Sequence, residues 1–173
     1  MKLFLCLLTL CICFAGCSSQ PNTSPTSASG SPAQAKRITS VGVVHATAKP
    51  AEVSPGGSGG LIVTLKIDSG YHVNANPPTF PYLIATQLDV TASDGISVSA
   101  VSYPTALTKT FAFADKPLAV YEGETEIKAK LNADRTAAKG EHSVPALLHV
   151  QACDDQVCYP PGQIELRIPV TVK

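Results

Sequence analysis

Hydrophobic and polar residues alternate with a period of two through most of the chain beyond residue 38. Apolar residues recur at alternate positions in four stretches, 61–67, 125–131, 144–152 and 164–172. This alternation is typical of β-strands that bury one face and expose the other. Each of the four stretches is therefore predicted to be a half-buried strand.

Shorter strand candidates lie between these stretches, at 41–48, 83–91, 96–102 and 118–121. Clusters of glycine, proline, asparagine and aspartate separate them, and no stretch shows a helical period of 3.6. A series of about seven to nine short strands with regular turns favours an all-β, immunoglobulin-like β-sandwich, here spanning residues 38–173. Pro169 predicts that the last strand runs along a sheet edge or carries a bulge there.

The N-terminus carries an apolar run, residues 3–15, directly after Met1 and Lys2. Its length suits a signal peptide and is too short for a membrane-spanning helix. The run ends in Phe14-Ala15-Gly16-Cys17, which resembles the bacterial lipoprotein signal. We therefore interpret residues 1–16 as a lipoprotein signal peptide and Cys17 as the lipidated N-terminus. The alternative is an ordinary secretory signal that leaves Cys17 as a free thiol.

Residues 17–37 combine the lipidated cysteine with a linker rich in serine, proline, threonine and alanine. Such a composition buries too little apolar surface to offset chain entropy, so this linker is predicted to be disordered. The expected location is the bacterial cell envelope, with the domain facing the periplasm from the inner or the outer membrane. The lipid is the only membrane attachment that we expect.

Composition and charge exclude several functions. The formal net charge is zero, and the basic residues are scattered, which argues against a nucleic-acid partner. The glycines at 56–60 are not followed by the lysine and helix of a phosphate-binding loop. The four histidines lack metal-ligand spacing, and a zinc site needs more soft ligands than one cysteine pair supplies. We expect no cofactor and no metal.

Two of the six cysteines, Cys153 and Cys158, lie outside the N-terminal region. Export favours a disulfide between them. Closing so short a loop stabilises by only about 2 kcal/mol, against about 4.7 kcal/mol for a 100-residue loop. The pair is therefore either a reactive disulfide or a simple hairpin clip, and both interpretations stay open on these residues alone.

Strand parity predicts the surroundings of this pair. If the strand 144–152 continues, Cys153 lies with His149 and Gln151 opposite the core, where a disulfide is accessible. Neighbouring Asp154 and Asp155 raise a thiol pKa, so the reduced pair is expected to react mainly within a partner complex. The histidines are interpreted as satisfied or solvated strand residues, with His149 as the exception because parity places it beside Cys153.

The motif Cys153…Cys158-Tyr159-Pro160-Pro161 at the end of an exported β-sandwich resembles the N-terminal periplasmic domain of the thiol–disulfide interchange protein DsbD. The resemblance covers roughly residues 40–173. It is supported by four further segments: Gly70-Tyr71-His72, Tyr103-Pro104, Phe111-Ala112-Phe113-Ala114-Asp115 and Val120-Tyr121-Glu122-Gly123-Glu124. The membrane domain and the thioredoxin-like domain of that protein have no counterpart in these residues, so we expect a stand-alone lipoprotein.

The resemblance implies a role for each site residue. Cys158 forms mixed disulfides with partners, Cys153 resolves them, and Tyr159 with the two prolines shapes the loop. Phe113 best matches the aromatic cap of the family, and Phe111 is the second candidate. The implied function is a thiol–disulfide oxidoreductase component that relays electrons between thioredoxin-fold or other thiol–disulfide proteins. The alternative is an immunoglobulin-like envelope binding module with a purely structural disulfide.

Overall fold

A computed structural model describes residues 38–173 of the chain. The signal peptide, Cys17 and the linker at 17–37 lie outside the described residues. The described part holds one short helix and twelve strands: α1 (Ser40–Val43), β1 (Val44–Ala48), β2 (Ala51–Val53), β3 (Ser58–Ile67), β4 (His72–Asn74), β5 (Gln87–Val90), β6 (Ile96–Ser102), β7 (Leu107–Lys109), β8 (Leu118–Tyr121), β9 (Glu124–Ala133), β10 (Gly140–Val150), β11 (Ala152–Cys153) and β12 (Gly162–Val172).

Two long four-stranded sheets form the body of the molecule. One has the strand order β1-β3-β9-β6 and the other β2-β12-β10-β5. Their neighbouring strands are antiparallel, apart from β2 and β12, which are parallel. The predicted all-β sandwich is confirmed.

The core lies between these two sheets and follows the alternation of the sequence. Every second residue of β3, β9, β10 and β12 is buried over most of each strand. The apolar side chains with the least exposure come from both sheets, and they include Leu61, Val63, Leu65, Ile127, Leu131, Val144, Leu148, Val150 and Ile168. Burial of these side chains supplies the main stabilisation of the fold.

Some predicted strand boundaries differ from the structure. Residues 40–43 form a single helical turn before β1, and the predicted strand at 83–91 shortens to β5 because residues 83–86 are a loop. Pro169 pairs with Ser143 of β10, whereas β2 pairs only with Val170–Val172 of β12. Pro169 thus has a strand partner on one side only, which suits a residue without an N–H group.

A third sheet, smaller than the others, has the order β11-β4-β8-β7. It carries Cys153 on β11 and His72 on β4. A second apolar cluster consists of buried Phe111, Leu118 and Val120. Phe80, Leu83 and Ala114 pack against this cluster. The cluster therefore connects the loop between β4 and β5 and the loop between β7 and β8 with strand β8 of the small sheet.

Candidate functional site

The two cysteines form a disulfide across a very short hairpin. Cys153 ends β11, and its backbone pairs with that of Cys158 in an isolated antiparallel bridge. The Asp154 N–H donates to the Val157 carbonyl at 3.0 Å, and the Tyr159 N–H donates to the Ala152 carbonyl at 2.8 Å. The backbone thus closes this loop independently of the sulfur–sulfur bond.

Asp154 organises the loop from inside. Its Oδ1 accepts hydrogen bonds from the N–H groups of Gln156 and Val157, both at 2.8 Å. Its Oδ2 accepts a hydrogen bond from the Tyr159 hydroxyl at 2.5 Å. This last bond is the main cause that lowers the pKa of Asp154 and raises the pKa of Tyr159 to about 12. Tyr159 therefore ties the two ends of the loop together as a neutral phenol.

The two sulfurs differ in exposure. Cys153 is 0% exposed, whereas Cys158 is half-buried. The prediction that Cys153 lies off the core face was wrong, because β10 ends at Val150 and the chain passes to another sheet at Ala152. Strand parity counted from β10 does not extend across this break.

Gln151 fixes the position of the chain between the end of β10 and the start of β11. Its Oε1 accepts hydrogen bonds from Asn74 Nδ2 and from the Ile84 N–H, each at 3.1 Å. Its backbone carbonyl accepts a further bond from the Asn74 N–H at 3.4 Å. One side chain therefore connects the end of β10 with β4 and with the loop before β5.

Ser40 was not singled out from the sequence. Its hydroxyl is buried, donates to the Pro160 carbonyl at 2.7 Å and accepts from the Ala152 N–H at 3.0 Å. These residues flank the disulfide hairpin on its two sides, so Ser40 fastens the hairpin to α1. A serine at the N-terminus of a short helix carries no distinctive signal for this role.

His72 lies directly opposite Cys153, since β4 and β11 pair in that register. The ring is 1% exposed and stacks on Phe111 with centroids 4.1 Å apart. Its Nε2 has no hydrogen-bond partner among the described residues. Burial lowers the pKa of His72 against the opposing charges of Glu122 and Asp155.

The interpretation of His72 as a satisfied or solvated histidine was therefore wrong. His149, the residue that parity placed beside Cys153, instead contacts Asp89 of β5 at 3.1 Å. It lines a separate surface groove with Ile84 and Gln163. The histidine opposite the disulfide comes from a strand about 80 residues earlier, a pairing that no local pattern indicates.

The two candidate cap residues form a stack over this histidine. Phe111 is buried between His72 and Phe113, and the two phenylalanine centroids are 5.4 Å apart. Phe113 is 40% exposed and lines the same groove as Cys158. Of the two phenylalanines, Phe113 is thus the one at the surface beside the exposed sulfur, and Phe111 is its support.

The groove beside Cys158, here called the apolar groove, has a volume of about 350 Å³. Tyr82 is 74% exposed and Val157 is 50% exposed. Exposed apolar residues concentrated in one place are typical of protein interaction sites. The apolar groove is lined by Tyr82, Leu83, Phe113, Gln156, Val157 and Cys158, among others.

A second groove lies on the His72 side of the hairpin and is called the polar groove. Its volume is about 400 Å³, and Lys109 forms a 2.6 Å ion pair with Glu122 there. His72 and Asp155 both line it, together with Tyr71. The Tyr71 ring lies 6.0 Å from that of Tyr159, which links this groove to the disulfide loop.

Within residues 38–173, no group of three potential ligand side chains is arranged to hold a metal ion. The same residues contain no helix with the length and apolar character needed to span a membrane. The expected lipidation site at Cys17 lies outside the described residues.

The fold and the disulfide hairpin together define a β-sandwich with a cysteine pair at one end, half open to the surface. The family model described as thiol:disulfide interchange protein DsbD, N-terminal, matches residues 43–168. The chain belongs to this family, a family of thiol–disulfide exchange proteins.

One solved structure supports the fold. The N-terminal periplasmic domain of ScsB from Proteus mirabilis aligns with a TM-score of 0.53 and 16% identity, covering 73% of this chain and 46% of that chain. The chain thus spans about half the length of that structure. A type I cohesin–dockerin complex from Clostridium thermocellum aligns with a TM-score of 0.44 and 8% identity, over 80% of this chain and 99% of that chain. No curated protein sequence gives a match.

Proposed function

We propose that this domain exchanges disulfides with protein partners in the periplasm and relays electrons through the Cys153–Cys158 pair. A partner thiolate attacks the Cys158 sulfur, and the Cys153 sulfur leaves with the bonding electron pair. The mixed disulfide is then resolved either by Cys153, which restores the starting state, or by a second partner thiol, which leaves the pair reduced. The family membership supports the chemistry, and the ScsB domain, a periplasmic domain, supports the location.

The observation that carries this proposal is the unequal exposure of the two sulfurs. Cys158 lines the apolar groove, while Cys153 is fully buried. Access decides which sulfur of a disulfide is attacked. A partner sulfur that enters the groove therefore meets Cys158 and displaces Cys153, which fits the order of attack that the family resemblance implies.

The surroundings of Cys158 favour a protein partner over a small thiol. Tyr82, Phe113 and Val157 offer exposed apolar surface around the sulfur. A docked protein, with a thioredoxin fold for example, buries this surface and gains affinity from it. Glutathione cannot cover it, so we expect slow exchange with glutathione and fast exchange with a suitable protein.

Trapping mixed disulfides tests the order of attack. A Cys153→Ala variant lacks the resolving thiol, so it should accumulate mixed disulfides with partner proteins through Cys158. The matched Cys158→Ala variant should trap few or none, because its remaining thiol is buried. Equal trapping by both variants would contradict the assigned roles.

The reduction potential separates exchange from a structural clip. Structural disulfides in secreted proteins sit below about −300 mV, and exchanging disulfides sit higher. We expect a value above that limit and a rate of reduction that rises with a thioredoxin-like domain. A much lower potential without such acceleration would favour the alternative, an immunoglobulin-like binding module with a structural disulfide.

We also propose that Cys17 is lipidated after removal of residues 1–16 and that the linker at 17–37 tethers the domain to the envelope membrane. The signal-like sequence that ends at Cys17 supports this anchoring. Mass spectrometry of the mature protein should show a modified N-terminal Cys17. A Cys17→Ser variant should lose membrane attachment or stay unprocessed, and an unmodified N-terminus at another residue would refute the anchor.

A further inference from the structure

The imidazole of His72 is a buried polar group that the exchange steps above leave unused. Within residues 38–173, its Nε2 and the Asn74 Oδ1 are the buried side-chain polar atoms without a hydrogen-bond partner. Buried polar atoms are nearly always hydrogen-bonded, so an unpartnered one requires an explanation. Both atoms belong to β4, the strand that pairs with the one carrying Cys153.

The position of His72 suggests that explanation. Residues directly opposite in an antiparallel pair have Cβ atoms about 4.5–5.5 Å apart and project to the same face. His72 and Cys153 are such a pair, and both are buried. Cys153 is 0% exposed, so a protein group beside it is best placed to exchange a proton with this thiol.

Two other groups of the disulfide loop, Asp154 and Tyr159, are already engaged. The Asp154 carboxylate accepts three hydrogen bonds within its own loop. The Tyr159 hydroxyl donates to Asp154, and this bond raises the pKa of the phenol to about 12. Neither group is free to take a proton from a thiol. His72 has an unpartnered nitrogen, and the residue also lines the polar groove.

We propose, on the basis of the thiol–disulfide function above, that His72 is the proton-exchange group of Cys153. When Cys153 resolves a mixed disulfide, its thiol proton passes to the imidazole as its sulfur attacks the Cys158 sulfur. The Cys153–Cys158 bond forms, the bond from Cys158 to the partner breaks, and the partner sulfur leaves as a thiolate with the electron pair. The reverse reaction returns the proton from the imidazolium to the departing Cys153 sulfur.

The charges around His72 suit this role. Burial is the largest influence and lowers the pKa of His72, so the ring is neutral near pH 7 and able to accept a proton. The carboxylates of Glu122 and Asp155, and more weakly Asp154, act in the opposite direction and stabilise the transient imidazolium. Lys109 counters them in part, and Phe111 shields the ring by stacking.

A two-step reaction with Ellman's reagent tests the proposal. The reduced protein first forms a mixed disulfide at Cys158 and releases one nitrothiobenzoate, and attack by Cys153 then releases a second. The experiment uses the full chain with serine in place of Cys6, Cys11, Cys13 and Cys17. The cysteine pair of the disulfide hairpin is then the only source of thiols.

The informative variant is His72→Phe, which keeps an aromatic ring against Phe111 but has no nitrogen. We expect its second step to slow by about 10²-fold near pH 7, within the usual range for a lost general base. The first step of the variant should be unchanged. In the wild type, protonation of His72 below pH 6.5 slows the second step, and this pH dependence should be absent from the variant. The control is His149→Phe, which removes the histidine of the Asp89 pair and should leave both steps unchanged.

The outcomes separate the two proposals. If no mixed disulfide forms at Cys158, the exchange function fails. If both steps proceed in His72→Phe as in the wild type at every pH, only the role of His72 is overturned. If the His72→Phe variant misfolds, NMR of the imidazole nitrogens in the wild type provides a second test. A proton shared by His72 and the Cys153 thiol couples their titrations, so the titration curve of His72 must differ between the oxidised and the reduced protein. Identical curves would overturn the role.

Discussion

The two long sheets and the small sheet at the disulfide end differ in how completely they satisfy their buried groups. Between the long sheets, the buried strand positions are mostly aliphatic, as at Ile127 and Leu148. In the small sheet, β4 buries His72 and Asn74, each with an unpartnered polar atom. The long sheets therefore bury mainly apolar groups, whereas the small sheet also buries polar groups, and electrostatic interactions are stronger there than in water.

This contrast predicts the largest effect in the body. Ile127 is 0% exposed, so Ile127→Ala should leave a cavity and lower the free energy of unfolding by about 2–5 kcal/mol. The control is Val157→Ala beside the disulfide, where the side chain is half exposed, and the change should stay within about 0.5 kcal/mol. Urea denaturation of both variants measures the difference. Equal losses would show that the site end is packed as tightly as the body.

Reduction of the disulfide should cost less than a core substitution. Chain entropy allows about 2 kcal/mol for a loop this short. The hydrogen bonds of Asp154 and the Asp154–Val157 backbone bond remain in the reduced hairpin and preserve its shape. Denaturation curves of oxidised and reduced protein measure the cost. A loss well above 4 kcal/mol would identify the disulfide as a main support of the fold.

Phe113 should affect reactivity more than stability. Phe113→Ala opens the apolar groove beside Cys158, so reduction by a small thiol should accelerate by about tenfold, equivalent to about 1.4 kcal/mol in activation free energy. Stability should change little because the ring is partly exposed. The control is Tyr82→Ala, which removes the most exposed aromatic ring of the same groove.

Phe111 provides a second test of the cap. Phe111→Ala removes the ring between His72 and Phe113, so it should accelerate reduction of the disulfide by a small thiol and also lower the stability of the fold. If neither phenylalanine variant changes the rate, the cap hypothesis fails and both rings serve packing alone.

The smallest expected effect is a change in acid stability. The Tyr159 hydrogen bond lowers the pKa of Asp154 below its ordinary value of 3.8, so the carboxylate stabilises the fold above pH 3.8. This contribution falls away as the pH drops through the lowered folded-state pKa. Asp154→Asn should remove this loss of stability at low pH. The wild-type Asp155 makes none of these loop hydrogen bonds, so Asp155→Asn should keep the loss. Thermal melting of both variants between pH 2 and pH 6 distinguishes them.

The site could be predicted in part. The spacing of the cysteines between two predicted strands indicated the disulfide hairpin, and the resemblance to the DsbD N-terminal domain implied that aromatic rings of the segment 111–115 lie close to it. Strand parity placed His149 beside Cys153, and this was wrong because parity assumes an unbroken strand. The true neighbour, His72, depends on the pairing of β4 with β11.

The sequence by itself determined the all-β class and the buried face of each long strand, because the alternation of side chains is a local property of the extended backbone. Only the tertiary structure decided that Cys153 is buried and Cys158 is half open. That difference arises where the chain leaves β10 at Gln151 and joins the small sheet, held there by Asn74 and Ser40. Pairing between strands far apart in sequence depends on the packing of the whole domain, which no local pattern encodes.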